Sequence, residues 1–377
     1  MANIAYAKCL NNIMIRTDKH ITLSTNIFEQ LCLGRHPMKW ILFVVFITFA
    51  SVSSLTKADD TVLRVVIIQT NALPIVMESQ AAFEKELRFI MPEASVEFDV
   101  YDAGGSFEGA RAAIEAAYQV GEPDLIVSIA TLATRALYQA EISRQTPKLF
   151  MTVADPVKEG IVTQFDETSA DNITGESHVL DAKVKLDMLQ GLIAASDTDL
   201  PLTIGLIHTD YPSSASSVDS LLALESDYDS VRFVAISTPY VDGDKGLPVM
   251  REGIINALVK HKQSRSIDGL WLSTGPLLQA ENLIGEIRKQ TQLFPLFAES
   301  IESVQDGALL GVVSDVNSIG KSAAQRAAKI LRGTPANQFP VSRMSKYTVA
   351  VNVSTAIKLG LPIPSSYLKL AKNNVYQ

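Results

Sequence analysis

A short stretch in the first half of the chain, Asp124–Leu137, combines a buried strand with the start of a helix. Its sequence, DLIVSIATLATRAL, begins with the apolar run Leu125–Val127, which is typical of a strand covered on both faces. Ser128–Thr131 then turn the chain, and Ala133–Leu137 has a helical pattern. Such a turn leaves backbone N–H groups and hydroxyls exposed at the carboxyl end of the strand. This is the usual ligand position of an open α/β sheet and suits an anionic group, so we expect it to hold part of a small ligand.

A strand-then-helix order recurs from Val62 onward, in two sets. Strands are predicted at Val62–Gln69, Val96–Tyr101, Leu125–Val127, Lys148–Val153, Leu202–His208, Val231–Ile236, Gly269–Ser273, Pro295–Ala298, Gly307–Val313 and Thr348–Val353. Helices are predicted at Ile75–Met91, Phe107–Val120, Ala133–Leu137, Ala182–Ala194, Ser216–Tyr228, Gly246–Lys262, Leu277–Thr291, Ile319–Arg332 and Thr355–Leu359. This alternation predicts an α/β fold with parallel sheets covered by helices on both faces. No linker rich in proline, glycine or serine separates the two sets, so we expect two lobes connected by direct crossovers, which favours closure on a ligand.

The charge of the chain limits its partners. The 377 residues are enough for two domains, and the formal net charge is −8. This acidic balance argues against a nucleic-acid partner and against an anionic membrane surface. We expect a monomer whose partner is a small-molecule solute.

An apolar segment near the start of the sequence indicates export. Met38-Lys39 precedes Trp40–Ala50, and small and polar residues follow as far as Ala58. A positive charge, a short apolar core and a small-residue end are typical of a signal peptide, here 38–58, which we expect to be cleaved. The alternative is an uncleaved anchor, but a membrane span needs ~20 apolar residues. Residues 1–37, which hold both cysteines, are interpreted as an extension upstream of the true start. The mature chain would be a soluble, exported protein without cysteine.

Motifs for catalysis are incomplete. Gly320-Lys321-Ser322 resembles the end of a phosphate-binding loop, but Asp315 stands where the first glycine is needed, which favours a helix N-terminus. Asp102–Gly105 follows a strand but lacks the spacing of a dinucleotide-binding turn. The sequence has no G-x-S-x-G elbow, and the histidines of the mature chain lie far apart, at His178, His208 and His261. We therefore expect no enzyme, no metal site and no cofactor.

Seven segments, taken in order, carry a resemblance to a known family. They are IVSIATLATRAL (126–137), FMTVADPVKEGIV (150–162), NITG (172–175), PSSASSV (212–218), PLFAESIESVQDGALLGV (295–312), IGKSAAQRAAKILRG (319–333) and VAVNVSTAIKLGLPIPSSYL (349–368). Together they resemble the exported substrate-binding proteins of a bacterial ABC-transporter family, which have the type I periplasmic-binding-protein architecture. The resemblance covers nearly the whole mature chain.

The resemblance implies two doubly wound lobes joined by three crossovers, 59–174 plus 300–340 and 175–299 plus 341–377. It also implies a ligand in the interlobe cleft, as in relatives that bind amino acids, notably aromatic ones. Thr131 matches the family's threonine at the opening turn, and Ser217 matches a serine at the start of a second-lobe helix. Both positions suit an anionic group. Asp155 matches the aspartate of an ADPV turn, where capping is an alternative to ligand contact. Glu299 stands where the family usually has aspartate, which could accept hydrogen bonds from an ammonium group or from hydroxyls.

The chain departs from the family at two turns. Ser273–Pro276 lacks an acidic residue that the family often has, and Ser314–Asn317 replaces aromatic residues near the last crossover. These differences put an aromatic amino acid in doubt and leave a small polar ligand, such as another amino acid or a related compound.

The candidate ligand-binding residues also have alternative roles. Thr131, Ser214 and Ser217 could be helix N-caps, Asn71 a turn residue and Tyr211 a cover for a helix end. Trp271 is expected in the core. The candidate set is Asn71, Ser128, Ala130, Thr131, Asp155, Tyr211, Ser214, Ser217, Thr274, Glu299 and Asp315.

Three functions fit these expectations. The first is a periplasmic solute receptor that closes on a small polar ligand and delivers it to the membrane permease of an ABC transporter. The second is a periplasmic sensory subunit of the same fold that acts on a membrane signalling receptor, and the sequence does not separate it from the first. The third is an enzyme built on this fold, for which the motifs give no support.

Overall fold

The computed structural model describes residues 62–377 except 142–144, 197–198, 244, 265–266 and 292–293. The predicted extension 1–37 and the predicted signal peptide 38–58 lie outside these residues. Among the helices of the described residues, none is both long enough and apolar enough to cross a membrane.

The strands form two sheets, which confirms the predicted α/β fold. The first sheet has the order β11-β5-β4-β3-β1-β2, and all its pairs are parallel. Its strands are β1 (Val62–Gln69), β2 (Ser95–Asp102), β3 (Leu125–Ile129), β4 (Lys148–Val153), β5 (Ile173–Ser177) and β11 (Ser342–Arg343). The second sheet has the order β13-β12-β10-β9-β8-β6-β7, in which the pair β10–β12 is antiparallel. Its strands are β6 (Leu202–Thr209), β7 (Val231–Thr238), β8 (Gly269–Leu272), β9 (Leu296–Ala298), β10 (Leu310–Ser314), β12 (Tyr347–Asn352) and β13 (Val375–Tyr376).

The helices cover both sheets. They are α1 (Pro74–Ile90), α2 (Phe107–Val120), α3 (Thr131–Gln139), α4 (Ala182–Ile193), α5 (Pro212–Ala223), α6 (Gly246–Ser264), α7 (Leu283–Thr291), α8 (Ile301–Gln305), α9 (Val316–Leu331), α10 (Val353–Leu359) and α11 (Ser365–Ala371). Apolar side chains of α1 and α9 pack on one face of the first sheet, and those of α2 and α3 pack on the other. Each lobe is therefore a sheet between two layers of helices.

The chain passes between the two sheets three times, through 178–181, through Asp315 and through 344–346. These positions differ from the predicted lobe division of 59–174 plus 300–340 and 175–299 plus 341–377. Strands β5 and β11 pair within the first sheet, whereas β10 pairs within the second. The predicted lobe division stays a prediction. In the sheets, the three crossovers follow β5, β10 and β11.

Some helices begin at other residues than predicted. Helix α3 begins at Thr131 rather than Ala133, so the turn before it is shorter. Helix α5 begins at Pro212 rather than Ser216, since proline suits the first position of a helix. The predicted helix Leu277–Thr291 is divided into a 3₁₀ turn at Pro276–Gln279 and α7.

Gly320 allows a close contact between α9 and α1. A Cβ atom at this position would lie 2.7 Å from the Ala82 Cβ and 2.7 Å from the Phe83 nitrogen, and closer still to the Ser79 carbonyl oxygen. Two of these neighbours are backbone atoms, which cannot move without moving a helix. The glycine of Gly320-Lys321-Ser322 therefore serves helix packing, and the structure places it inside α9 rather than in a phosphate-binding loop.

We expect Gly320→Ala to lower the free energy of unfolding by about 2 kcal/mol, since overpacking costs ~1–3 kcal/mol. A loss of stability would be informative, because alanine in place of glycine normally stabilises a helix by about 1 kcal/mol. Urea denaturation measures the change. Gln325→Ala, on the exposed side of the same helix, is the matched control and should change stability by less than about 0.5 kcal/mol. A stabilised Gly320→Ala protein would contradict the close-contact argument.

Candidate functional site

Four polar side chains lie at the carboxyl ends of neighbouring strands of the first sheet. Asn71 follows β1, Thr131 follows β3, Thr152 lies near the end of β4, and His178 follows β5. All four line one cleft, with a volume of about 240 Å³. Each has a buried polar atom without a hydrogen-bond partner among the described residues: Asn71 Oδ1, Thr131 Oγ1, Thr152 Oγ1 and His178 Nδ1. Buried polar atoms are rarely left unpaired in proteins, so their convergence marks a place for a ligand.

The backbone of this wall is strained at two residues. Ala130 has φ 71° and Thr152 has φ 57°, a region that costs a residue other than glycine ~1–3 kcal/mol. The strained turn is held by bonds from the Ala130 N–H to the Met151 carbonyl (3.0 Å) and from the Thr134 Oγ1 to the Ala130 carbonyl (3.0 Å). Strain of this kind persists where the surrounding structure fixes it, commonly at ligand sites. Ala130 and Thr131, at the start of α3, both line the cleft.

The second lobe contributes a buried ion pair. The Lys185 Nζ of α4 lies 2.8 Å from Glu299 Oε2, and the side chains are only 3% and 5% exposed. The Lys185 ammonium also donates to the Ser217 Oγ (2.9 Å). Glu299 Oε1 accepts hydrogen bonds from the Ser217 hydroxyl (2.7 Å) and from the Trp271 indole N–H (2.9 Å). Lys185 and Glu299 both line the same cleft.

These contacts determine the charge states at the cleft. Burial alone would raise the pKa of Glu299, but Lys185, Ser217 and Trp271 outweigh it, and the net pKa lies below the ordinary value. Burial lowers the pKa of His178 to about 4, and the nearby Lys185 cation acts in the same direction. At neutral pH the cleft therefore holds a neutral imidazole beside an internally compensated ion pair.

The remaining candidates that line the cleft are Ala130, Tyr211, Thr274 and Asp315. The Tyr211 ring is buried, lies edge-on to Tyr240 with 4.8 Å between ring centroids, and has a pKa raised by burial. Asp315 caps α9 by accepting a hydrogen bond from the Ser318 N–H (3.1 Å). Thr274 precedes Gly275, whose φ of 133° fits the turn against Ser214.

Four predicted residues lie outside the lining of the cleft: Ser128, Asp155, Ser214 and Ser217. The Ser128 hydroxyl is paired with Thr134 Oγ1 (2.8 Å), and Ser214 is paired with Ser273 Oγ (2.8 Å). Asp155 accepts hydrogen bonds from the N–H groups of the turn that follows it, and Ser217 reaches the cleft only through its bonds with Lys185 and Glu299. As direct ligand contacts, these four stay untested predictions.

The predicted N-cap roles of Thr131, Ser214 and Ser217 are wrong. Thr131 is the first residue of α3 and its hydroxyl has no partner, whereas Ser214 and Ser217 lie inside α5. Trp271 is buried in the core as predicted, although its indole N–H also holds Glu299.

Sequence reasoning missed Lys185, Thr152 and His178. Lys185 was detectable, because it lies on the apolar stripe of α4 with the buried Ala182, Leu189 and Leu192. The strained backbone of Thr152 left no sign in an ordinary strand sequence. His178 follows β5, a strand that the sequence analysis did not assign.

The two lobes touch along one side of the cleft. The Ser216 hydroxyl of α5 donates to Asp155 Oδ2 (3.1 Å), and the Tyr240 hydroxyl donates to the Gly105 carbonyl (3.0 Å). Lys158 Nζ lies 2.7 Å from Asp219 Oδ2. Asp155 and Lys158 follow β4, and Gly105 follows β2. The three contacts therefore link the first lobe to the second beside the cleft.

A family model described as "ABC transporter substrate binding protein" matches residues 90–195 and 264–375. No curated protein matches the chain significantly.

Solved structures share the fold over most of the chain. A conserved domain protein from Vibrio cholerae O1 biovar El Tor is 21% identical with a TM-score of 0.69, covering 84% of this chain and 99% of that chain. An ABC domain from Streptococcus pneumoniae in complex with L-Trp is 19% identical with a TM-score of 0.66, covering 83% and 100%. An ABC transporter solute binding protein from Bacillus halodurans with bound myo-inositol is 12% identical with a TM-score of 0.56, covering 80% and 99%. These similarities confirm the type I periplasmic-binding-protein fold of two lobes.

Proposed function

The chain belongs to the ABC transporter substrate binding protein family, and we propose that it is the periplasmic solute-binding component of an ABC transporter. In this proposal the two lobes close around a small polar ligand, of the size of an amino acid or a related compound, and deliver it to the membrane permease. The protein is exported through the signal peptide 38–58, which is cleaved, and it acts as a monomer without bond chemistry.

One observation carries the proposal. The unpartnered polar atoms of Asn71, Thr131, Thr152 and His178 converge on one interlobe cleft. A ligand that pairs with them removes the cost of leaving them buried and unpaired, so the interaction is specific as well as favourable. Both lobes line the cleft, which means that closure desolvates a ligand from two sides.

The contacts between the lobes support reversible closure. Lys158 and Asp219 are 53% and 63% exposed, and exposed ion pairs contribute only ~0–1 kcal/mol. Two further interlobe hydrogen bonds, Ser216 to Asp155 and Tyr240 to Gly105, are single bonds that water can replace. Breaking these three contacts costs little, and a ligand can shift the balance toward the closed form.

The ligand is best identified from the protein itself. Native mass spectrometry of the mature protein, purified from periplasmic extract without a refolding step, should show a bound small molecule. Thermal shift against a panel of amino acids, sugars, polyols and nucleosides should give an increase in Tm for the same class. The receptor proposal fails if no small solute is retained and none raises the Tm.

Thr131→Val tests the first-lobe wall. The substitution keeps the shape of the side chain and removes the hydroxyl, which has no hydrogen-bond partner among the residues that the structure describes. A lost hydrogen bond of ~1–1.5 kcal/mol should weaken binding of the solute with the largest thermal shift about tenfold, as measured by calorimetry. Thr163→Val, at an exposed threonine outside the cleft, is the control and should leave affinity unchanged. Equal affinity for both variants would remove Thr131 from the site.

A further inference from the structure

The buried pair Lys185–Glu299 leaves one open donor and one open acceptor at the cleft. An ammonium group has three N–H donors, and Lys185 uses two of them, on Glu299 Oε2 and on the Ser217 Oγ. A carboxylate has about four acceptor positions, and Glu299 receives three donors, of which two are on Oε1. Within the described part of the chain, one Lys185 N–H and one lone pair on Glu299 Oε2 have no partner.

We propose that the cleft takes an uncharged, hydroxyl-rich solute, a sugar or polyol in chemical class, one hydroxyl of which accepts from Lys185 and donates to Glu299. This inference rests on the proposed receptor function and specifies its ligand class. A hydroxyl is both donor and acceptor, so a single group completes both side chains. Neither an ammonium nor a carboxylate can do this.

Cationic and anionic ligand groups are both disfavoured, because each would lie beside a buried charge of the same sign. A ligand ammonium on Glu299 Oε2 would share that oxygen with the Lys185 cation, and a ligand carboxylate on Lys185 would lie beside the Glu299 anion. Because both side chains are almost completely buried, water screens these repulsions poorly. The pair therefore selects against both signs of charge.

The wall that the first lobe contributes to the cleft also favours uncharged ligand groups. Asn71, Thr131 and Thr152 are neutral groups with an unpartnered oxygen each, and the burial that lowers the pKa of His178 to about 4 keeps its imidazole neutral. The first-lobe wall therefore offers hydrogen bonds without charge, which suits hydroxyls.

Three other carboxylates line the cleft, but none supplies a buried partner for a cation. Glu78 and Glu302 are exposed at the rim, where water solvates their charge. Asp315 caps the N-terminus of α9 through the Ser318 N–H, so its charge interacts with the helix end. An amino acid would bring an ammonium and a carboxylate into a cleft whose buried charges are already paired.

The test compares ligands that differ only in charge. D-glucose, D-glucosamine and D-glucuronate share one ring and carry a neutral, a cationic and an anionic substituent, and glycerol, 2-amino-1,3-propanediol and L-glycerate form a second, three-carbon set. Larger uncharged polyols are added to the neutral ligands tested. We expect the wild-type protein to bind an uncharged member at least tenfold more tightly than its charged counterparts, as measured by calorimetry at pH 7.5.

Two variants should switch the preference in opposite directions. Lys185→Met frees the Glu299 carboxylate, so the amino counterpart should gain at least tenfold relative to the neutral member. Glu299→Gln leaves the Lys185 cation uncompensated, so the carboxylate counterpart should gain instead. The double variant Lys185→Met with Glu299→Gln removes both charges, and with them the repulsion of charged ligands, so its preference for the neutral member should be smaller than that of the wild-type protein. Lys183→Met, at an exposed lysine of the same helix that pairs with Asp187, is the control and should keep the wild-type order.

The outcomes separate this inference from the receptor function. Tight binding of an amino acid or another charged solute by the wild-type protein overturns the inference and leaves the receptor function standing. Absence of any bound solute overturns both. If a single variant does not fold, the wild-type series still decides, because a charged ligand preferred by the wild-type protein contradicts the proposal.

Discussion

Replacing Lys185 with methionine should lower the free energy of unfolding by about 3–5 kcal/mol at pH 7.5, the cost of leaving one member of a buried ion pair alone. The Glu299 carboxylate would stay buried with only the Ser217 and Trp271 donors. In the wild-type protein burial raises the pKa of Glu299, and Lys185 is the main group that holds it below the ordinary value. This pKa should therefore rise in the variant. Urea denaturation of the mature protein at several pH values measures both changes.

Two further variants show whether the loss comes from the charge. The double variant Lys185→Met with Glu299→Gln removes the uncompensated anion and should recover most of the lost stability, since apolar replacement of a buried pair is often near neutral. Lys183→Met breaks an exposed pair with Asp187 and should leave the free energy of unfolding almost unchanged, because exposed ion pairs contribute little. A double variant as unstable as Lys185→Met would assign the loss to packing of the lysine stem instead.

The alternation of strands and helices was predictable because it depends on local patterns. Buried parallel strands such as β1 and β4 are continuous apolar runs, and the helices between them have a clear period. The edge strands β11 and β13 have two residues each, too few for any pattern. The crossovers follow β5, β10 and β11, and they could not be placed from the sequence because a strand's own pattern does not show which sheet it joins.

The site was predictable where topology alone determines position. The carboxyl ends of parallel strands meet at one edge of a sheet, so Asn71 and Thr131 could be placed at the cleft from the order of elements. Glu299 lines the cleft, but its partner Lys185 was not foreseen. Lys185 lies on α4 and Glu299 follows β9, 114 positions later in the sequence. Whether two such residues meet depends on how the helix lies against its sheet, which a local pattern does not show.

His178 is expected to make the folded protein sensitive to mild acid. Burial lowers its pKa from the ordinary 6.5 to about 4. Below pH 6.5 the unfolded chain binds a proton that the folded protein does not, so unfolding takes up a proton and stability falls as the pH falls. The dependence ends near pH 4, where the folded form is also protonated. At ~1.4 kcal/mol per pH unit, the full effect is on the order of 3 kcal/mol.

His178→Gln should remove this dependence while keeping a polar side chain of similar size. Carboxylates also titrate near pH 4, so the quantity to compare is the difference in unfolding free energy between wild type and variant. We expect this difference to shift by about 2–3 kcal/mol in favour of the variant between pH 7.5 and pH 4.5, as measured by urea denaturation. His208→Gln is the matched control; its ring lies beside the Thr209 carbonyl outside the cleft. A constant difference between wild type and His178→Gln would mean that the folded protein accommodates a charged imidazole there, and the cleft would then not be neutral in mild acid.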